Sequence, residues 1–351
     1  KAGTTLATRQ LTVRPNTNIS DSTQLFVAST AKSKLKVINK KKNPEIQITA
    51  NNGLDIAFDR TTGTMTRYNV AGVSYLGEGG TLKPNFWRAP TDNDMGASLQ
   101  KKFKAWRNPT MTLTSLSAET IEQQKVKVAV VKADYDMPDV QAKLTLTYYI
   151  NAEGTIKVDE KLQTTPDAKV SDLFRVGLVM QLPYSMDKSN FYGRGPIENY
   201  ADRYLSENIG IYSQTADQQF YPYVRPQETG LKSQIRWWKQ TDSEGNGLQI
   251  TREVQLKPTD RMYRQQNEAV APANLFYASA LHYNIEDLSE GDEKAQRHSP
   301  EVPRSKYTVL SIDGAHMGLG CIDSWGALPL QQYRLPYGDY NFRFVITPVK
   351  K

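Results

Sequence analysis

Glu198 and Asp202 stand four residues apart in YGRGPIENYADR (192–203). Two carboxylates are what glycoside hydrolysis requires, one as acid and base and one as nucleophile or second base, roughly 5 to 9.5 Å apart across the sugar. Two acids in one tight turn can equally brace a neighbouring guanidinium, here Arg194 or Arg203, and the braced turn is the preferred reading. A second dense stretch, NFWRAPTDNDMG (85–96), carries Arg88, Asp92, Asn93 and Asp94. Its DNDMG starts as a calcium loop would, but Gly96 at the fifth position and Phe103 at the twelfth stand where oxygen ligands are needed, so an EF-hand is excluded. GRGPIEN has the first two glycines of a dinucleotide turn and lacks the third, with Pro196 and a β context against it. His282, His298 and His316 show no metal-ligand spacing and read as satisfied structural histidines. Trp325, in GLGCIDSWGALP, lies between glycines and a proline, which predicts a loop at a strand end and a partly exposed ring. Such a ring can stack on the apolar face of a pyranose.

The elements that must position these residues are strands. TLATRQLTV (5–13) and TQLFVAST (23–30) alternate loosely, and IQITANNGLDIAFDRTTGTMTRYNV places Leu54, Ile56 and Phe58 on one face before a turn at Thr62 and Gly63. KVKVAVVKADY, AKLTLTYYI and TIKVDEKLQ continue the period of two, with Asn151 to Gly154 as a hairpin loop. LFRVGLVMQL, KSQIRWW, GLQITRE, YTVLSID and YNFRFVITPV repeat it. One amphipathic helix is predicted, in ASLQKKFKAWRN, from Leu99, Phe103 and Trp106 at i, i+4 and i+7. The bulk is therefore all-β, and so many strands without a Gly/Pro-rich break favour one large antiparallel sandwich.

Composition narrows the function. The single cysteine, Cys321, excludes a disulfide framework and a thiolate metal cage. The net charge of +7 is scattered except in KSKLKVINKKKN (32–43), which reads as a solvated linker and not as a nucleic-acid arm. No apolar run approaches the ~20 residues of a membrane span, so neither nucleic acid nor membrane is an expected partner and a soluble protein is. The compartment, cytoplasm or periplasm of a bacterium, is open.

Four segments in order, FWRAPTDND (86–94), YGRGPIENYADR (192–203), PYVRPQETG (222–230) and MGLGCIDSWG (317–326), resemble the C-terminal domain of the bacterial β-galactosidases of glycoside hydrolase family 2. The resemblance runs from about residue 45 to the end. It implies a β-supersandwich over 45–351, galactose mutarotase-like and related to the aldose 1-epimerases. It implies also that residues 1–44 are the closing strands of a preceding immunoglobulin-like domain plus a basic linker. In the family the catalytic glutamates and the magnesium and sodium sites lie in a β/α barrel upstream, so no catalytic residue, metal or cofactor is expected in this chain. What the resemblance assigns here is one wall of a β-galactoside pocket, with Trp325 and Ser98 toward substrate. It also assigns a mobile loop at Gly96, Ala97 and Ser98, anchored through Arg88, Asp92, Asn93, Asp94 and Gly96. Glu198, Asn199, Asp202 and Asp323 would support that wall. Leu99 stands where enterobacterial members have glutamate, and GCIDSW replaces GGDDSW. The expected partners are the remaining domains of the enzyme, itself a homo-oligomer. Two alternatives stay open: an epimerase-type enzyme, needing a histidine and a carboxylate facing one pocket, and a structural or carbohydrate-binding domain without catalysis.

Overall fold

The computed structural model describes residues 9–11, 34–123, 126–252, 269–271, 275–289, 291–293, 297–320, 322–323 and 326–350. The expected strands at 5–13 and 23–30 fall, apart from residues 9–11, outside the described residues, as do Cys321 and Trp325.

Two antiparallel sheets make the fold. The first contains β1 (Lys36–Ile38), β2 (Glu45–Ala50), β3 (Leu54–Asp59), β4 (Met65–Val70), β5 (Val73–Ser74) and β6 (Leu82–Asn85). It is completed by β11 (Arg175–Pro183), β14 (Lys232–Ile235), β17 (Phe276–Leu281) and β18 (Tyr307–His316), in the order β1-β2-β3-β4-β6-β11-β18-β17-β14 with β5 beside β4. The second contains β7 (Thr112–Gln123), β8 (Val126–Met137), β9 (Ala142–Ile150), β10 (Ile156–Thr164) and β12 (Lys188–Gly195). With them run β13 (Asn208–Thr215), β15 (Trp237–Thr241), β16 (Gly247–Arg252) and β19 (Tyr340–Val349), ordered β13-β12-β15-β16-β19-β10-β9-β8-β7.

The period of two dictates which faces meet. Ala142, Leu144, Leu146, Tyr148 and Ile150 of β9 are all buried, opposite Ile156, Val158, Glu160 and Leu162 of β10. They pack on the inner face of the first sheet, where the Phe58 ring lies 4.9 Å from that of Tyr148. β18 is buried at every position because it is covered twice. Its inner residues Leu310 and Ile312 join the main core, while Val309 packs with Val179 and Tyr307 beneath an outer layer. That layer includes the short helix Ile285–Leu288, whose Leu288 clusters with Ala89, Leu281 and Tyr283. Polar side chains on the outer face of β11, β17 and β18 are thereby taken out of water.

Three sequence expectations are corrected. ASLQKKFKAWRN is not one helix: α1 (Asp92–Gly96) is followed by α2 (Leu99–Lys102) and a single tight turn at Lys104–Trp106. Leu99, Phe103 and Trp106 are nonetheless all buried, because contacts to Phe86 and Phe174, not helix propensity, fix the segment. KSQIRWW splits at Arg236, with β14 and β15 in different sheets, and Gln234 just before the crossing has φ of 52°. Within the presumed linker 32–43, Lys36–Ile38 form β1 on the edge of β2, and Leu35 is buried. Further upstream, the Gln10 side-chain amide pairs with both Ile209 N (2.7 Å) and Ile209 O (3.0 Å) on the edge strand β13.

Candidate functional site

The segment before α1 is organised by one guanidinium. Arg88, fully buried, donates from Nε and Nη2 to Asp94 at 3.0 and 2.8 Å, the two-pronged geometry a planar fork gives with a carboxylate. It also donates to the carbonyls of Met317 (2.6 Å) and Gly318 (3.0 Å), and so ties FWRAPTDND to MGLGCIDSWG. Asp94 is the third residue of α1 and closes a capping box, accepting from Thr91 N at 2.9 Å while Thr91 Oγ1 accepts from Asp94 N. Asp92, more exposed, accepts from Arg225 Nε (2.9 Å) and Gln227 Nε2 (3.1 Å) of PYVRPQETG. Asn93 contributes its backbone: its carbonyl accepts from Ala97 N at 2.9 Å.

YGRGPIENYADR holds the other two segments. Glu198 accepts from Arg203 (2.6 Å), Gly230 N (2.7 Å), Thr229 Oγ1 (3.2 Å) and the Tyr223 hydroxyl. Asn199, completely buried, donates to the Arg194 and Ile197 carbonyls and accepts from Ser233 N and Oγ. Asp202 accepts from Leu319 N (3.0 Å) and Gly320 N (2.8 Å). The two acids thus serve different segments, and Arg194 turns instead to Gln234 Oε1 and the Glu207 carbonyl. Gly193 and Gly195 do not supply left-handed backbone. They lie in β12 where space is short, since a Cβ on Gly193 would come 2.3 Å from Ile235 Cδ1 and one on Gly195 3.1 Å from the Tyr212 ring.

At the far end of MGLGCIDSWG, Asp323 accepts from Ala327 N at 3.1 Å. Gly326, with φ of 86°, lies so close to α1 that a Cβ there would overlap Ala97 N and sit 2.7 Å from Gly96 Cα. Gly326→Ala is therefore expected to lower stability by roughly 1–3 kcal/mol, from strain at positive φ and from that clash. A urea titration checks this, with Gly338→Ala as control, since a Cβ there meets nothing nearer than 3.9 Å. Ser98 has φ of 60° and no capping bond from its hydroxyl. Its carbonyl accepts from Lys101 N and Lys102 N and starts α2.

Beneath this junction lies a buried charge cluster that the sequence reading did not assign. Arg175 (β11) pairs with Asp313 (β18) through Nη2, and its Nη1 is 3.8 Å from Glu228 Oε2. His316 donates from Nδ1 to the Met317 carbonyl (2.9 Å), which leaves Nε2 as a lone pair 3.8 Å from Glu228 Oε1. That nitrogen has no hydrogen-bond partner, so His316 is not the satisfied structural histidine expected. Burial, against the pull of Arg175 and Arg88, pushes the Glu228 carboxyl up to about 7 and that of Asp313, beside Arg175, up to about 6. Burial and the two guanidinium groups hold the His316 imidazole well below its ordinary range, hence neutral. A signal was present in the sequence: Arg175 and Asp313 interrupt the apolar runs LFRVGLVMQL and YTVLSID, where a charge needs a partner. His282 stacks on Tyr184 with centroids 3.8 Å apart, and exposed His298 lies 3.2 Å from Glu301. Glu228 and Arg175 line a cleft over the first sheet, together with Thr229, Ser279 and Ser311, and His316 does not line it. An epimerase-type reaction would there have one of its two groups.

Four separated segments therefore meet at one end of the sandwich, and their sequences have relatives. The family model described as the beta galactosidase small chain matches residues 50–346. The chain belongs to that family. Among curated proteins, the beta-galactosidase of Lactobacillus delbrueckii subsp. bulgaricus is 32% identical over 278 residues, covering 78% of this chain and 24% of that protein. The beta-galactosidase of Priestia megaterium is 28% identical over 294 residues, covering 83% and 25%. This small-chain domain thus spans about a quarter of the length of the curated relatives it matches. Among solved structures, an aldose 1-epimerase of Escherichia coli K12 described as putative aligns over 91% of the chain with TM-score 0.41 and 8% identity.

Proposed function

We propose that this chain is the C-terminal part of a β-galactosidase of glycoside hydrolase family 2 and forms one wall of its sugar pocket. Retaining hydrolysis of terminal β-galactosides is carried out by two glutamates in a barrel elsewhere in the enzyme, so the chain alone turns over no substrate. The observation that carries this reading is the convergence of all four family-like segments on Arg88, Glu198, Asp202 and the Arg225–Asp92 contact. Trp325 supplies a stacking surface for the galactoside or its aglycone, and Gly96 to Ser98 are the mobile loop of the pocket. Asp92 already accepts from Arg225 and Gln227, and Asp94 is taken up by Arg88, so the DND acids do not fit as an ion site. Magnesium and sodium belong, in this reading, to the rest of a homo-oligomeric enzyme.

The test is Trp325→Ala in the intact enzyme. Covering about 100 Å² of apolar face at ~25 cal/mol per Å² predicts a KM about 10- to 100-fold higher. Turnover should change much less, because stacking acts on ground and transition states alike. An unchanged KM, or chromogenic galactoside hydrolysis by the chain alone, would overturn the assignment.

A further inference from the structure

The charges beneath the junction do not balance. Arg88 has its own carboxylate in Asp94 and Arg175 has its own in Asp313, both in close contact. Glu228 is a third buried acid facing two cations that are already paired. Its nearest guanidinium nitrogen, Arg175 Nη1, is 3.8 Å away, too far for a hydrogen bond. From β18, His316 turns toward it a lone pair and not a positive charge. The remaining charged groups that bear on it are Asp313 and, from the turn after β12, Glu198, both repelling a negative charge. An ionised Glu228 would therefore leave one uncompensated negative charge in a buried site, whereas a neutral acid brings the cluster to balance.

Glu228 is also where the 221–230 loop is fastened. Its backbone N–H donates to the Ala89 carbonyl at 3.0 Å, next to Arg88. On either side of it, Arg225 and Gln227 hold Asp92, while Thr229 and Gly230 hold Glu198.

We infer that Glu228 is a proton-controlled latch: with its carboxyl neutral the 221–230 loop is clamped on the first sheet and holds α1, and on ionisation the clamp loosens. Glu228 is thus a positioning residue that acts through Ala89, Asp92 and Glu198. Burial pushes that carboxyl up to about 7, so the change falls within the neutral range. The inference concerns the chain itself and needs no galactoside, so its failure is distinct from that of the Trp325 test.

The experiment is amide hydrogen exchange of the purified chain from pH 5 to 8.5, corrected for intrinsic rates, with a ¹³C-carboxyl NMR titration of the glutamates. Opening of residues 219–231 should rise roughly 10- to 100-fold across that range, with its inflection at the pH where the Glu228 resonance moves. Glu228→Gln, neutral at all pH and of equal shape, should keep the loop closed throughout. Opening that does not vary with pH, or a glutamine variant that follows the wild-type curve, would overturn the latch. If that variant does not fold, the wild-type titration decides: a Glu228 resonance that stays unmoved between pH 5 and 8.5 would overturn it as well.

Discussion

Replacing Arg88 with alanine is expected to lower the stability of the chain by about 3–5 kcal/mol, because it strips the partner from a buried carboxylate. Asp94 is only 2% exposed and would keep just the Thr91 N–H as donor, and the Met317 and Gly318 carbonyls would each lose one. The guanidinium also covers the Phe174 ring at 4.7 Å, so packing is lost with the charge. Arg88→Lys should recover little, since an ammonium cannot reproduce two parallel bonds to Asp94 and two more to backbone. The double variant Arg88→Ala, Asp94→Asn should be less unstable than the sum of its parts, as the unpaired charge is then gone. Urea denaturation of the wild type, Arg88→Ala, Arg88→Lys, Asp94→Asn and the double variant measures this, and a loss below about 1 kcal/mol for Arg88→Ala would show the pair to be incidental. In the proposed parent enzyme the same substitution frees MGLGCIDSWG from α1, and should disturb sugar binding through position alone.

The sequence disclosed the β content because a period of two is a local property. Leu54, Ile56 and Phe58, or the inward set of β9, can be read without knowing what they face. Local properties also mislead, as in KSQIRWW, where one apolar run serves two sheets because Gln234 turns the chain. The four segments of the site stood out by their density of acids, arginines and glycines. Their partners did not, because every bond that matters is long-range: Arg88 reaches 229 residues to Met317, and Asp202 reaches 117 to Leu319. Asn93 shows the limit from the other side, since its side chain invited a role that its carbonyl performs. The Arg175, Glu228, Asp313 and His316 cluster needed two strands, β11 and β18, and a loop to be assembled before any of its members had meaning.

Acid should stabilise this chain across the range where many proteins lose little or nothing. Glu160 sits in the inward row of β10 with both carboxyl oxygens lacking a hydrogen-bond partner, and burial, then Asp313 and Asp159, push it well above the ordinary carboxyl range. Glu228 goes up to about 7 and Asp313 up to about 6. The folded state thus binds these protons more tightly than the unfolded chain, whose carboxyls titrate near 4. Their stabilisation is complete below about pH 4 and is lost as pH rises through the folded values. For Glu228 alone the difference is about 3–4 kcal/mol, at about 1.4 kcal/mol per unit. Carboxylates shifted the opposite way, Asp134, Asp139, Asp292 and Glu301, titrate below the window. His316 works against the trend, since its buried imidazole stays neutral while the unfolded one binds a proton below about pH 6.5, but it is one group against three buried acids. The melting temperature at fixed ionic strength should accordingly fall from pH 5 to pH 8, and a rise over that interval would refute the sign. Glu160→Leu separates the contributions. It removes an acid flanked in register by Leu146 and Phe342 and puts an apolar side chain among the core residues. It should raise stability by about 1–3 kcal/mol and flatten the decline wherever Glu160 is the acid being ionised, while leaving the Glu228 inflection near pH 7 in place.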